Sequence, residues 1–178
     1  ERVGEKMAFV NRMFDPEQHG RRHEENEEFM RDEIFLPAGM RETGYLLPQW
    51  DTSRIAHTYV LPVDHLSPLD RLRAARGPGW ILMGNGGVLS TTGDLFRWDM
   101  ALRKGSIVPV ENLAIAFQPH VRRNPRESVG YVWEISTSEA GEVSYGHGSD
   151  APGLGVSGYF GRYPARDATL ILLANNRL

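Results

Sequence analysis

His147 is the residue of this 178-residue chain whose type and neighbours best suit chemistry. An imidazole side chain exchanges a proton near neutral pH, so it can act as an acid, a base or a hydrogen-bond partner. The adjacent residues Gly146, Gly148 and Ser149 are small, and a substrate could lie against the main chain beside them. Taken alone, a histidine between glycines is more often part of a turn or an exposed surface, so the rest of the sequence must decide.

Other groupings of reactive side chains are weaker. His19 and His23 are four residues apart with Glu24 and Glu27 nearby, a spacing that a metal site can use. They lie in a polar, arginine-containing stretch that is typical of a solvated surface. Gly84–Gly87 lacks the Gly-Lys-Ser/Thr ending of a phosphate-binding loop. We therefore predict no metal site and no cofactor.

Three aromatic residues in the last third of the chain could flank a substrate cleft. They are Tyr131, Trp133 and Tyr159. Large aromatic side chains most often pack in a core or on a sheet face, and that is the favoured interpretation here.

The composition is that of an ordinary globular chain, with 40% hydrophobic residues, 24% charged residues and a net charge of −3. The chain has no excess of basic residues of the kind that indicates a nucleic-acid partner. The apolar run Leu170–Ala174 has five residues, whereas a membrane-spanning helix needs about 20. Cysteine is absent, which excludes disulfides, thiolate zinc sites and a cysteine nucleophile. We predict neither a nucleic-acid partner nor a membrane span.

All of the predicted helices lie in the first two thirds of the chain. Apolar spacing predicts helices over Val3–Phe14 and His23–Phe35. Ser90–Asp94 offers a capping hydroxyl followed by an acid, which predicts the start of a helix that Lys104 and Gly105 end. A shorter helix is expected over Val110–Phe117. Residues 40 to 79 are proline-rich and are predicted to be mainly loop, with one short strand over Ile55–Leu61.

Beyond Pro125 the pattern changes to an alternation of period two. It predicts one strand that includes Val129, Tyr131, Trp133 and Ile135. Further strands are predicted over Glu142–Gly146, Leu154–Arg162 and Ala168–Leu173, joined by short turns that make the sheet antiparallel. Ala168–Leu173 is apolar almost throughout and is predicted to be a central strand with both faces buried. Helices first and an antiparallel meander last predict an α+β fold.

Four segments, in the same order, resemble the motifs of serine β-lactamase-like hydrolases. This family includes class C β-lactamases, D-alanyl-D-alanine carboxypeptidases and related esterases. Phe35–Tyr45 is similar to the family's F-x-P-L-G-M-x-x-T-G-[YF], and Gly86–Trp98 to G-G-L-x-S-T-x-x-D-L-x-R-W. Tyr145–Gly153 is similar to Y-G-H-G-G-x-x-P-G, and Ile171–Asn176 to the closing V-V-L-x-N-N strand.

The resemblance implies a β-lactamase/transpeptidase-like fold, an antiparallel sheet with flanking helices. It also implies that His147 occupies the third active-site motif, K-T-G or H-x-G, which faces the reacting group. Gly148, Ser149 and Asp150 are then substrate-binding residues, and Asp150 supplies a main-chain N–H to the oxyanion hole. Ser149 departs from the family, which has glycine there, and it narrows the approach.

Two family motifs are absent from the 178 residues. The chemistry needs S-x-x-K, in which the lysine helps to remove the serine proton, and neither Lys6 nor Lys104 follows a serine by three. None of the six tyrosines is followed two residues later by asparagine, so Y-x-N is also absent.

We therefore interpret residues 1 to 178 as a single domain, the C-terminal portion of such a hydrolase, with the N-terminal part of the fold missing. The chain begins at Glu1, without an initiator methionine, which fits a processed chain or a piece of a longer one. The parent enzyme would acylate a serine with an amide or ester substrate (a β-lactam, a D-Ala-D-Ala peptide or an ester) and release the acyl group to water. This chain alone is predicted to be inactive.

Two alternatives stay open. The fold could persist as a non-catalytic binding or assembly module without S-x-x-K and Y-x-N, or a separate chain could carry both motifs in a split enzyme. If the earlier part of the fold is missing, one sheet edge is exposed and invites pairing with a second copy. We therefore expect a homodimer formed through that edge.

Overall fold

The architecture is known from a computed structural model. It describes residues 22–60, 63–65, 67–74, 85–151 and 155–175. The predicted helix over Val3–Phe14 lies outside the described residues. So does His19, which was considered together with His23 as a possible metal site. Within them, the chain forms a six-stranded antiparallel sheet, a small hairpin and four α-helices. The predicted α+β fold, an antiparallel sheet with flanking helices, is confirmed.

The helices mostly follow the capping and periodicity signals of the sequence. Helix α1 spans Arg22–Met30 and continues as a π-helical turn over Arg31–Phe35. Helix α3 spans Thr92–Arg103, and α4 spans Val110–Ala116. Thr91 caps α3, since its side chain accepts a hydrogen bond from the Asp94 N–H at 3.1 Å. In the part of the chain that the structure describes, no helix has the length and apolar character needed to cross a bilayer.

Helix α2, over Pro68–Ala74, corrects the prediction that residues 40 to 79 are mainly loop. Its start has a clear physical cause. Ser67 accepts a hydrogen bond from the Asp70 N–H at 3.2 Å and donates to the Asp70 carboxylate at 3.0 Å. Proline at the first helical position needs no hydrogen-bond partner for its nitrogen. The short run Ser-Pro-x-Asp therefore carried the signal of a helix start.

The strands of the main sheet follow one another in space as they do along the chain, in the order β3-β4-β5-β6-β7-β8. They span Val121–Asn124, Glu127–Val129, Glu134–Thr137, Val143–Ala151, Val156–Tyr163 and Ala168–Ala174. Each is antiparallel to its neighbour. A separate hairpin pairs β1 (Thr58–Val60) with β2 (Val63–His65), where the sequence predicted one short strand.

The single strand predicted through Val129 and Ile135 is wrong, because a turn divides it into β4 and β5. The Gly130 N–H donates to the Trp133 carbonyl at 2.8 Å and closes this turn. A Cβ at Gly130 would lie 2.1 Å from the Ala116 carbonyl oxygen. The residue at this position must therefore be glycine for the turn to lie so close to α4. Alternation in the sequence continues across the turn and conceals it.

Strand β8 lies at one edge of the six-stranded sheet rather than at its centre. Its side chains Leu170, Leu172 and Leu173 are 43%, 43% and 48% exposed. The prediction of a central strand with both faces buried is therefore wrong for the described structure. The apolar composition of β8 exceeds what its packing within the described residues requires.

A small core joins the end of α1 to the C-terminal part of α3. Its buried side chains are Phe35, Ala38, Met40 and Ala101. The residues from 35 to 40 thus end a helix and supply three of the four buried side chains of this core.

Asp94 connects that segment to α3. Its side chain is 1% exposed. One carboxylate oxygen accepts hydrogen bonds from the Glu42 N–H at 2.7 Å and the Thr43 hydroxyl at 2.8 Å. The other accepts from Arg97 at 2.7 Å. Charge-assisted bonds in a buried setting are among the stronger hydrogen bonds of a protein, so Asp94 fixes the loop against the helix.

Two further buried carboxylates act in the same way. Glu27 of α1 accepts hydrogen bonds from the N–H groups of Tyr45 and Leu47. Asp99 of α3 accepts from the Thr169 hydroxyl of β8 at 2.9 Å. The predicted solvated surface around Glu27 is therefore wrong for this residue, which is 6% exposed.

We expect Asp94→Ala to lower the free energy of unfolding by about 2–4 kcal/mol, because it leaves the buried Thr43 hydroxyl and the part-buried Glu42 N–H without this acceptor. Urea denaturation followed by far-ultraviolet circular dichroism measures this. Asp70→Ala removes an exposed helix-capping carboxylate and serves as the control, with a loss of about 1 kcal/mol or less. Equal losses in the two variants would contradict the connecting role of Asp94.

Candidate functional site

The four predicted site residues are consecutive in strand β6. His147, Gly148, Ser149 and Asp150 pair with residues 157–160 of β7. The sequence had predicted that this strand ends at Gly146, so the motif lies inside a strand and not in the turn that follows one. Strand backbone holds successive side chains on opposite faces of the sheet.

His147 and Ser149 therefore share one face. Their cross-strand partners are Phe160 and Gly158. An added Cβ at Gly158 would lie 3.2 Å from the Ser149 hydroxyl, so this hydroxyl occupies the space that a side chain at Gly158 would fill. Helix α3 covers the far end of the same face, where Asp99 contacts Thr169 of β8.

One side of β6 is open beside these residues. Strand β5 pairs with β6 only from Val143 to Gly146. From His147 to Ala151, no strand of the described residues pairs with β6 on that side, while β7 continues on the other. An extended group can add to such an edge through main-chain hydrogen bonds.

His147 is exposed, yet one ring nitrogen has a fixed partner. Nδ1 lies 3.0 Å from the carbonyl oxygen of Val132, in the turn between β4 and β5. Val132 itself has φ +71°, in the left-handed region that valine rarely adopts. The other nitrogen, Nε2, has no hydrogen-bond partner among the described residues.

Aromatic rings pack on the same face beside His147. Phe117 stacks on Tyr145 at 4.2 Å between ring centroids and meets the Trp133 ring edge-on at 5.1 Å. Trp133 in turn lies 5.7 Å from Phe160, the cross-strand partner of His147. These contacts favour sheet-face packing for Trp133, as expected, and they give His147 an apolar neighbourhood.

The other two aromatic candidates lie elsewhere. Tyr131 is 60% exposed and stacks on His120 at 4.3 Å. Tyr159 is the cross-strand partner of Gly148, on the sheet face opposite His147. The structure therefore does not bring Tyr131, Trp133 and Tyr159 together around one cleft.

Tyr159 lies flat on the opposite face. A Cβ added at Gly146 would lie 2.8 Å from the Tyr159 hydroxyl, and one added at Gly161 would lie 2.6 Å from the Tyr159 ring. The two glycines therefore leave room for this side chain. Its hydroxyl is 3.5 Å from that of Tyr163. Burial, followed by this hydrogen bond, raises the pKa of Tyr159 to about 12.

The candidate site is an exposed strand edge and not an enclosed cavity. A cavity of about 410 Å³ lies at the other end of β6, between Ser138, Val143 and Arg166, away from His147. No cluster of three or more metal-ligating side chains occurs in the described part of the chain. The arrangement at His147 can offer hydrogen bonds from an imidazole and from a free strand edge.

The Val132 carbonyl is the functional group that sequence reasoning missed. A main-chain carbonyl is present at every residue, so no residue type marks the one that aims at a histidine. Gly130 was the available signal, because a glycine inside an alternating pattern often marks a bend.

The chain belongs to the beta-lactamase family, whose model matches residues 21–177. The match covers the candidate site, the buried core and the whole sheet. The fold and the resemblance of its motifs therefore agree with the family of serine β-lactamase-like hydrolases.

Relatives and solved structures agree with this assignment. Penicillin-binding protein 4* of Bacillus subtilis is 34% identical over 163 residues, which are 83% of this chain and 34% of that protein. A penicillin-binding protein from Bacillus halodurans superimposes with a TM-score of 0.66 at 21% identity, over 85% of this chain and 45% of that one. A D-stereospecific amidohydrolase from Streptomyces sp. gives 0.58 at 18% identity, over 85% and 44%. The chain thus spans about a third of the curated relative and under half of each solved structure.

The raised pKa of Tyr159 leads to a prediction at alkaline pH. An unfolded tyrosine ionises near pH 10, whereas folded Tyr159 keeps its proton to about pH 12. Its contribution to stability is present below pH 10 and is lost as the pH rises through 12. We expect Tyr159→Phe to weaken the loss of stability in this window, measured by urea denaturation at a series of pH values. Exposed Tyr131→Phe is the control, and an equal effect of both would contradict the burial of Tyr159.

Proposed function

We propose that this chain forms one wall of the active site of a serine hydrolase that acts on amide or ester substrates through an acyl-serine intermediate. The serine and its lysine come from outside these 178 residues. Within them, His147 is the third-motif residue, Gly148 and Ser149 contact the substrate, and Asp150 contributes its main-chain N–H to the oxyanion hole. The substrate is a β-lactam, a D-Ala-D-Ala peptide or an ester.

The observation that carries this proposal is the open edge of β6 next to His147. Strand β5 stops pairing at Gly146, and the imidazole begins at the next residue. A substrate that lies along this edge would meet main-chain groups first and the imidazole at its end. Family membership supports the same chemistry, because the third motif of the hydrolases that this chain resembles faces the reacting group.

The remaining chemistry needs a nucleophile. The sequence has no serine followed by lysine at the third position, so we expect the activated attack of this family to need a serine and a lysine from outside it. The chain spans 34% of the Bacillus subtilis relative, which leaves room in such a protein for the missing motifs.

A hybrid protein tests the proposal. Residues 21–177 of this chain replace the matching region of the Bacillus subtilis relative, and acylation by a fluorescent penicillin is measured. We expect labelling of a serine outside residues 21–177. His147→Ala should slow acylation or hydrolysis by about 100-fold or more, as expected for loss of an acid–base group.

His120→Ala is the matched control for this experiment, since His120 is also exposed and also bonds a main-chain carbonyl, that of Ile115. It should leave the rate nearly unchanged. The isolated 178-residue chain should hydrolyse neither a chromogenic cephalosporin nor a p-nitrophenyl ester. Turnover by the isolated chain that a substitution within it abolishes would overturn the proposal, as would equal effects of the two histidine variants.

We also propose that two copies of this chain pair through the outer edge of β8. No strand of the described residues covers that edge, and the leucines beside it are exposed. In the described part of the hairpin, the Tyr59 N–H donates to the carbonyl of Asn175, one residue past β8, at 3.1 Å. Unpaired strand edges associate readily.

Light scattering at micromolar concentration should therefore give the mass of a dimer for the isolated chain. Leu170→Lys, which places a charge beside the edge, should give the monomer mass. Leu36→Lys alters a leucine of similar exposure near the end of α1 and should stay dimeric. A monomeric mass for the unaltered chain would contradict the proposal.

A further inference from the structure

We propose that Val132 is a positioning residue whose main-chain carbonyl fixes the tautomer of His147 and leaves Nε2 as the unprotonated nitrogen. The inference rests on the proposed function, because it describes how the imidazole is prepared for that chemistry. It begins from the 3.0 Å contact between Nδ1 of His147 and the Val132 carbonyl oxygen. A carbonyl oxygen can only accept a hydrogen bond, so Nδ1 must carry the hydrogen.

The proton count then follows. A neutral imidazole has one N–H and one lone pair on its two nitrogens. If Nδ1 donates to Val132, the lone pair belongs to Nε2. The group that meets Nε2 in a complex with neutral His147 must therefore be a donor, an O–H or N–H, and not a carboxylate.

The backbone conformation of Val132 supports a specific role for its carbonyl. A β-branched residue at φ +71° is a conformational outlier, and such residues concentrate at functional sites. The Val132 side chain is 73% exposed, so no core packing explains the conformation. The left-handed conformation directs the Val132 carbonyl toward His147.

The turn that carries Val132 is closed by one main-chain hydrogen bond of its own and joined to α4 by another. The Tyr131 N–H donates to the Ala116 carbonyl at 2.9 Å, and the Gly130 N–H donates to Trp133 at 2.8 Å. Stacking of Tyr131 on His120 adds a side-chain contact. These contacts tie the turn to the end of α4 and hold the Val132 carbonyl opposite β6.

Nuclear magnetic resonance of the isolated 15N-labelled chain tests this directly. Two-bond nitrogen–proton correlations distinguish a protonated from an unprotonated ring nitrogen, and they are recorded well above the ordinary histidine pKa of about 6.5. We expect His147 to show protonated Nδ1 and bare Nε2. His120 is an internal reference with the opposite expectation, because its Nε2 faces the Ile115 carbonyl at 3.0 Å. The variants His147→Gln and His120→Gln assign the signals.

Two substitutions separate the carbonyl from the valine side chain. Val132→Gly adopts positive φ easily and should keep the Nδ1–H tautomer. Val132→Pro fixes φ near −65° and turns the carbonyl away, so His147 should populate both tautomers. A hydrogen bond of this type shifts such an equilibrium by roughly two- to tenfold. The His120 tautomer should stay the same in both variants if the end of α4 is intact.

Protonated Nε2 on His147 in the unaltered chain would overturn the inference, and so would an unchanged tautomer in a folded Val132→Pro variant. If that variant does not fold, the unaltered chain still decides through its own tautomer. The measurement needs no substrate, so its failure is distinct from failure of the hydrolase proposal, which the labelling of the hybrid decides. In that hybrid, Val132→Pro should lower the acylation rate.

Discussion

The buried carboxylate of Asp94 is the interaction on which the helical part of this chain depends. It joins the loop at Glu42 and Thr43 to the first turn of α3. Five residues further along the same helix, Asp99 bonds Thr169 of β8. Loop, helix and sheet are thus connected through one helix by two carboxylates, each of which has its donors and is sealed from water. Directional bonds of this kind specify one arrangement where apolar packing alone tolerates several.

Carboxylates with this role are hard to recognise in a sequence. Asp94 was expected to follow a capping hydroxyl, and it does, but its contacts with the loop at residues 42 and 43 come from segments far apart in the chain. Glu27 was predicted to lie on a solvated surface because it belongs to a polar, arginine-containing stretch of the sequence. Only the docking of residues 45 to 47 against α1 shows that it is buried. Local signals therefore found the helices but not what ties them together.

The sheet shows the same division between local and distant causes. Turns with their own chemistry, such as Ser138–Gly141, were predictable, since the Gly141 N–H bonds the Ser138 carbonyl and Gly141 has φ +80°. The turn at Gly130 was not, because its cause is contact with the Ala116 carbonyl of α4 and not a preference of its own residues. The edge position of β8 was missed for a related reason. Its apolar pattern reports how much surface it can bury, and not what lies beside it in this chain.

The site combines a local and a distant cause. A motif identifies His147, but its side chain is oriented by the main chain of Val132, which no motif reveals. His147 could be chosen from the sequence by its small neighbours and its resemblance to a third active-site motif. Its orientation depends on Val132, whose left-handed conformation costs about 1–3 kcal/mol and must be repaid by the surrounding contacts. A carbonyl partner orients the ring without placing a full negative charge beside it, in contrast to the carboxylate that holds the histidine of a catalytic triad. With Nδ1 bonded to Val132, Nε2 is the ring nitrogen that can meet a group bound along the open edge of β6.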